Sequence, residues 1–243
     1  MHQGFGVEVA EVLCSNDGIM SETDFTMLRQ RMMAEIAAKT IFSTTYLGKA
    51  ALAPRVMKAL ATVPRHAFVP IELQPYAYVD SPLPIGFHKT ISQPFIVAVM
   101  TDLLGVQPTD TVLEIGTGLG YQSAILAELA HQVYSVEIIE ELAEQAEQRL
   151  ADEGYDNVQI RIGNGCQGWP ERAPFDKIMV TAAPELIPPA LIYQLKPGGT
   201  MVIPAGLPDA QQLIQLKKDA QGSVTTREIF QVLFSTLEDV TST

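Results

Sequence analysis

Residues 112–129 read VLEIGTGLGYQSAILAEL. The stretch runs from apolar residues into glycines at 116, 118 and 120, and then into a helical pattern. That texture predicts a strand (TVLEI, 111–115), a tight turn and a helix (GYQSAILAELA, 120–130). Glycine tolerates positive φ and lets a ligand lie against bare backbone. In sheets built from such units, ligands sit beyond the carboxyl ends of the strands, where this turn lies. Glu137 closes the next strand (QVYSVEI, 132–138) roughly 20 residues on, where an acid accepts hydrogen bonds from ribose hydroxyls. Taken alone, the turn would also suit an ordinary connection with a solvent-exposed Glu; the placed acid shifts the reading to a nucleoside site.

The spacing narrows the ligand. Dinucleotide folds use G-x-G-x-x-G, and phosphate loops need a following Lys-Ser/Thr. Here the pattern is G-x-G-x-G, and no such pair follows. A ligand with a ribose but no pyrophosphate fits, and S-adenosylmethionine is the common one. Its amino-acid end is expected on Gly116, Thr117, Gly118 and Gly120, its ribose on Glu137, and its adenine near Gly163, Asn164 and Gly165. Glu114, at the end of the strand, is counted with this cofactor set.

Outward from this unit, strands and helices alternate. NVQIRIG (157–163), DKIMVTAA (176–183) and GGTMVIPAG (198–206) read as strands, with a Glu-rich helix through about 151 and another helix over 185–195. QQLIQLKK (211–218) and TTREIFQVLFSTL (225–237) read as a hairpin joined by DAQGS. The fold class is α/β: a Rossmann-like, doubly wound, mostly parallel sheet with a C-terminal antiparallel hairpin and N-terminal helices. The expected division is an irregular leader (1–23), then one domain: a helical part (24–80), a cofactor-binding core (81–206) and the hairpin (207–243). VPRHAFVP (63–70) and SPLPIG (81–86) read as proline-punctuated connections.

The chain has 243 residues, 47% hydrophobic and 18% charged, a globular balance. Its 28 acidic and 16 basic residues give a net charge of −12. Nucleic-acid binders usually carry a basic face, so a nucleic-acid partner is disfavoured. The longest apolar runs, such as FIVAVM (95–100), are far too short to span a membrane. The N-terminus lacks the order of a secretory signal, so a cytoplasmic location is expected; a monomer is expected separately, with no sequence feature behind it. Cys14 and Cys166 are too few for a disulfide framework, and the four histidines show no metal-ligand spacing.

Between residues 63 and 206 the chain resembles protein-L-isoaspartate O-methyltransferases. The likeness rests on VPRHAFVP, PLPIGFHKTISQPFIVAVMTDLL (82–104), VLEIGTGLGYQSAILAEL and GWPERAPFDKIMVTAAPELIPPALIYQLKPGGTMVIPAG (168–206). The third segment is common to many methyltransferases; the second and fourth are more specific. The resemblance implies methyl transfer from S-adenosylmethionine to the free carboxylate of isoaspartyl residues in damaged peptides and proteins, which begins their repair. The chemistry is consistent with what is missing. A carboxylate with a pKa of about 4 is already ionised at neutral pH, so no general base is needed. The absence of an apparent His/Asp or Cys/His dyad is then expected.

KTISQP places Thr90, Ser92 and Gln93 just before a helix starting near Pro94. The resemblance assigns Ser92, with Thr90, to the catalytic site and Gln93 to the substrate side. A serine there also suits a helix N-cap, and both roles can hold. Thr181, Ala182 and Ala183 end a strand where small side chains leave room, and are expected to line the substrate cleft. Trp169 is either an adenine wall, as the resemblance implies, or a core tryptophan. The match thins in three places. Asn164 stands where the family usually has Asp; Ser235-Thr236-Leu237 stand in place of a Val-Pro-Leu ending that flanks the substrate; and the first 40 or so residues match weakly. Two alternatives remain: a related carboxyl methyltransferase with a different peptide or small acid as acceptor, and a non-catalytic module that binds S-adenosylmethionine.

Overall fold

The structure is a computed structural model that describes residues 20–239. The expected leader falls mostly outside the described residues, as does Cys14. Within them, helix α1 (Glu22–Phe42) begins earlier than expected, because Ser21 and Asp24 form a reciprocal capping box. Helix α2 (Thr44–Leu47) stops at left-handed Gly48, and α3 (Pro54–Thr62) starts on a proline. The helical part is therefore broken rather than continuous.

Residues 83–91 form more than a connection. Strands β1 (Leu83–Gly86) and β2 (Lys89–Ile91) pair antiparallel, and Phe87 and His88 turn between them with φ of +52° and +57°. Proline and glycine in this stretch masked the pairing in the sequence. Helix α4 (Pro94–Leu104) follows, buried almost all round, as its uniformly apolar sequence requires.

The main sheet has seven strands. They are β3 (Thr111–Ile115), β4 (Gln132–Glu137), β5 (Val158–Ile162), β6 (Phe175–Val180), β7 (Leu195–Leu207), β8 (Ala210–Lys218) and β9 (Val224–Val232). Their order is β5-β4-β3-β6-β7-β8-β9, parallel through β7 and antiparallel after it. From β3 the strand order progresses to one side through β4 and β5 and then to the other through β6 and β7, so the glycine turn sits at the topological switch point. Both sheet faces are covered. Val112, Met179 and Val202 fall in one hydrophobic cluster, while Leu113, Ile178 and Met201 fall in another. Adjacent residues point to opposite faces, so near-continuous apolar strands are what such a sheet demands. Helices α5 (Tyr121–Ala127), α6 (Glu140–Asp152) and α7 (Pro189–Gln194) complete the layers.

Two expected elements are shorter than predicted. The helix over 185–195 is only α7, because prolines at 184, 188 and 189 push the residues before them out of helical geometry. The last strand ends at Val232 rather than 237. Buried Gln211 grips the backbone of Phe234 instead, accepting from its N at 2.6 Å and donating to its O at 3.0 Å. The chain then crosses to the end of β6, where Ala183 exchanges backbone hydrogen bonds with Ser235 and Leu237. That crossing brings residues 235–238 over the carboxyl ends of the central strands.

Candidate active site

The glycine turn is held from below and from the side. Gly116, Gly118 and Gly120 all have positive φ. A Cβ on Gly116 would collide with Thr181 Oγ1, because that hydroxyl donates to the carbonyls of Gly116 (2.7 Å) and Ile115 (3.0 Å). Thr181, expected only as a cleft wall, thus also staples the turn to β6. Gly120 opens α5, and a Cβ there would press on Leu150 of α6, so it serves helix packing.

Glu137 is nearly buried and faces the turn. One carboxylate oxygen accepts from Gly118 N (2.8 Å); the other accepts from Ile138 N (2.9 Å) and Ile139 N (3.1 Å). A carboxylate offers about four acceptor positions, so one remains on the oxygen beside Gly118. A ribose hydroxyl fits that remaining position. Glu114 lies elsewhere. It is fully buried under the turn, accepting from the hydroxyls of Ser123 and of Ser135 (2.6 Å), and Ser135 in turn meets Thr117 Oγ1 at 2.6 Å. Burial pushes its pKa up to about 7, against the pull of the two serine hydroxyls. It supports the turn without lining the crevice, contrary to the expectation of direct cofactor contact.

Three adjoining spaces open above this framework. A solvent-open crevice of about 600 Å³ is walled by Gly116, Gly118, Glu137, Ile138, Leu142 and Gly165, among others. An inner chamber lies among Ser92, Met100, Thr117 and Tyr121. An outer cleft is edged by Ser92, Gln93, Asp209, Gln231 and Phe234. Thr90 and Thr181 border all three spaces, and Ser235 borders both the crevice and the cleft. The bare glycine backbone with the spare acceptor on Glu137 suits an adenosyl ligand.

The family model for protein-L-isoaspartate(D-aspartate) O-methyltransferase matches residues 39–242. The chain is 72% identical, over 91% of its length and 94% of the relative's, to protein-L-isoaspartate O-methyltransferase 1 of Polaromonas sp. strain JS666. The chain belongs to the protein-L-isoaspartate O-methyltransferase family. A solved protein-L-isoaspartate O-methyltransferase superposes with a TM-score of 0.69 at 28% identity, covering 82% of this chain, which spans 65% of that structure's length. A Plasmodium falciparum structure described as a beta-aspartate methyltransferase, in complex with S-adenosyl-L-homocysteine, shares the fold with a TM-score of 0.73 at 21% identity. It covers 86% of this chain, which spans 98% of it.

Against the family pattern, the chain's own departures have structural counterparts. Asn164 does not line the crevice; its Oδ1 caps Cys166 N (2.9 Å) and its Nδ2 donates to Asp239 (2.7 Å). An aspartate at 164 would set two carboxylates against each other, so Asn164 and the acidic end of the crossing segment are mutually consistent. Only Gly165 of that pair reaches the crevice, where a Cβ would meet Ile115 and Leu237. Ala183 is buried and contributes backbone pairing, not a cleft wall; Ala182 does line the crevice. Trp169 packs edge-on against Tyr134 with Arg161 over its ring and does not line the crevice. Nor does Ser92 cap α4. Gln93 occupies that position, and buried Asp80 does the work, accepting from Phe95 N (2.7 Å) and Gln93 Nε2 (2.9 Å). Ser92's hydroxyl bonds to none of the described residues and is open to the chamber and the cleft.

Sequence reasoning missed Ile138, Leu142, Lys89 and Glu238 as walls. Lys89 and Glu238 pair at 2.7 Å, tying the β1–β2 hairpin to the crossing segment. No local signal marks such a long-range pair. No described helix is long and apolar enough to cross a membrane.

Gly118 offers a direct test of the crevice. Its φ is +57°, and a Cβ would touch Ile85 at 3.3 Å. Gly118→Val should weaken S-adenosylhomocysteine binding about 100-fold by calorimetry, from strain and occupied space together. Unchanged affinity would place the ligand elsewhere.

Proposed function

We propose that the protein is a cytoplasmic enzyme, acting as a monomer, that methylates the free carboxylate of isoaspartyl residues in peptides and proteins, with S-adenosylmethionine as donor. The observation that carries this reading is the shared wall: Thr90, Thr181 and Ser235 border both the glycine-floored crevice and the outer cleft. A donor held in the one space and an acceptor in the other would meet there. S-adenosylmethionine supplies, when bound, a methyl group already activated by a positive sulfur.

The chain's own residues bind, orient and exclude water. Gly116 and Gly118 present bare backbone, Glu137 holds the ribose, and Ile138, Leu142 and Gly165 flank the base. Ser92 offers its free hydroxyl to the acceptor carboxylate, which arrives ionised and needs no proton removed. Alignment of two reacting groups in a dry site can account for most of the acceleration, through high effective concentration. Ser92→Ala should therefore lower kcat/KM for an isoaspartyl peptide about 10- to 100-fold, leaving S-adenosylhomocysteine affinity within about threefold. The reverse pattern would make Ser92 a structural residue only.

Transfer of a labelled methyl group to paired Asp and isoAsp peptides tests the function itself. Base-labile label on the isoAsp peptide alone is expected. Label on another acceptor would favour the related carboxyl methyltransferase, and cofactor binding without transfer would favour a non-catalytic module.

A further inference from the structure

VPRHAFVP carries an arginine, Arg65, that lines neither the crevice nor the chamber nor the cleft. Arg65 is wholly buried, with a relative exposure of 0%. Its Nε donates to Ala77 O (2.7 Å) and its Nη2 to Ser92 O (2.7 Å). Its guanidinium lies over the ring of Tyr121, 4.7 Å from the centroid, and Tyr121 walls the inner chamber together with Ser92. Arg65 Nη1 and the Tyr121 hydroxyl are both buried without a hydrogen-bond partner.

Buried arginines are normally matched by a carboxylate, because an uncompensated charge away from water is costly. Among the described residues Arg65 forms no ion pair. The carboxylate that acts on it across space, Asp80, is engaged by Lys39, Gln93 and the N-terminus of α4. Burial pushes the Tyr121 phenol up to about 12, so it stays neutral and supplies no countercharge; only its ring face meets the guanidinium. An arginine remains charged at neutral pH even when burial lowers its pKa. The bond to Ser92 O has a second consequence. That carbonyl shares a peptide unit with the N–H of Gln93, which makes no backbone hydrogen bond among the described residues. A charged donor on the carbonyl polarises the unit and strengthens its N–H as a donor. Ser92 and Gln93 both edge the outer cleft.

We propose that Arg65 is a positioning residue for the acceptor: its buried charge, acting through the Ser92–Gln93 peptide, selects a carboxylate beside the Ser92 hydroxyl. This rests on the carboxyl-methylating reading above. It adds that recognition of the acceptor's charge comes from behind the site rather than from a surface cation such as Lys89, which is paired with Glu238.

The test uses the full chain loaded with S-adenosylhomocysteine and two peptides, one isoaspartyl and one with its free α-carboxylate replaced by a carboxamide. Wild-type protein should bind the carboxylate peptide at least about tenfold more tightly. That ratio should change little between low and high salt, because a buried charge is poorly screened. Arg65→Met should bring the ratio close to unity while S-adenosylhomocysteine affinity stays within about threefold, and Arg65→Lys should restore part of it. A purely structural arginine would weaken both peptides together and keep the ratio, which would overturn the proposal. If Arg65→Met does not fold, the wild-type salt series still decides: a ratio that high salt abolishes points to a surface cation and overturns it. A chain that bound cofactor but neither peptide would bring down the reading on which this rests, whereas equal affinity for the two peptides with methyl transfer intact sinks only the role of Arg65.

Discussion

Gly116→Ala should give a protein that melts about 10 °C lower and no longer binds S-adenosylhomocysteine measurably. Two effects add. The backbone at 116 sits at a φ of +92°, where a side chain costs about 1–3 kcal/mol. The new methyl group would also occupy the place of Thr181 Oγ1, breaking the hydrogen bond whose single proton it shares between the carbonyls of Gly116 and Ile115, at about 1 kcal/mol. The sum, about 2–4 kcal/mol, is a large part of a typical domain's stability and corresponds to a shift of this size in Tm for a chain of this length. The double variant with Thr181→Ala should recover the steric part but not the strain. A Gly116→Ala protein with wild-type melting and cofactor affinity would show that the turn is not built as described.

The second large effect is on pH dependence. Glu114 holds its proton to about pH 7 in the folded protein, against an ordinary 4.5. Below pH 4.5 the group is protonated folded or unfolded, and it contributes no penalty. As pH rises from 4.5 to 7 the unfolded chain loses the proton first, so stability falls; above 7 the loss levels off at about 3 kcal/mol. Glu114→Gln removes the titration while keeping the shape. The stability difference between variant and wild type should therefore move in the variant's favour by about 3 kcal/mol between pH 4.5 and pH 8. Denaturant curves measured across this range would show it, and parallel pH profiles for the two proteins would refute it.

Both effects come from the stretch on which the sequence is most legible. The G-x-G-x-G turn, the acid at 137 and the alternation of strands with helices follow from local rules about φ, period and strand ends, and the structure places them as expected. The sequence could not say which way each nearby side chain serves. Glu114 and Glu137 end successive parallel strands, yet the first points beneath the turn and the second toward it. Thr181 looks like a small wall residue until its hydroxyl is seen on the Gly116 carbonyl. The larger misses are long-range. Gln211 ends the last strand early by holding Phe234, 23 residues on, and Asp80 replaces Ser92 as the cap of α4 from outside the local segment. Neither leaves a mark within a window of a few residues. The hairpin over 83–91 was hidden for a different reason: its turn residues, Phe87 and His88, are not those that two-residue turns with positive φ favour.

A crystal of the protein with S-adenosylhomocysteine and an isoaspartyl peptide tests the central claim most directly. The ligand's ribose should lie on Glu137 and its sulfur should face Thr90, Thr181 and Ser235, with the peptide's free carboxylate across from it at Ser92. A peptide bound with its carboxylate away from that junction, or a ligand seated anywhere other than the glycine-floored crevice, would contradict the account.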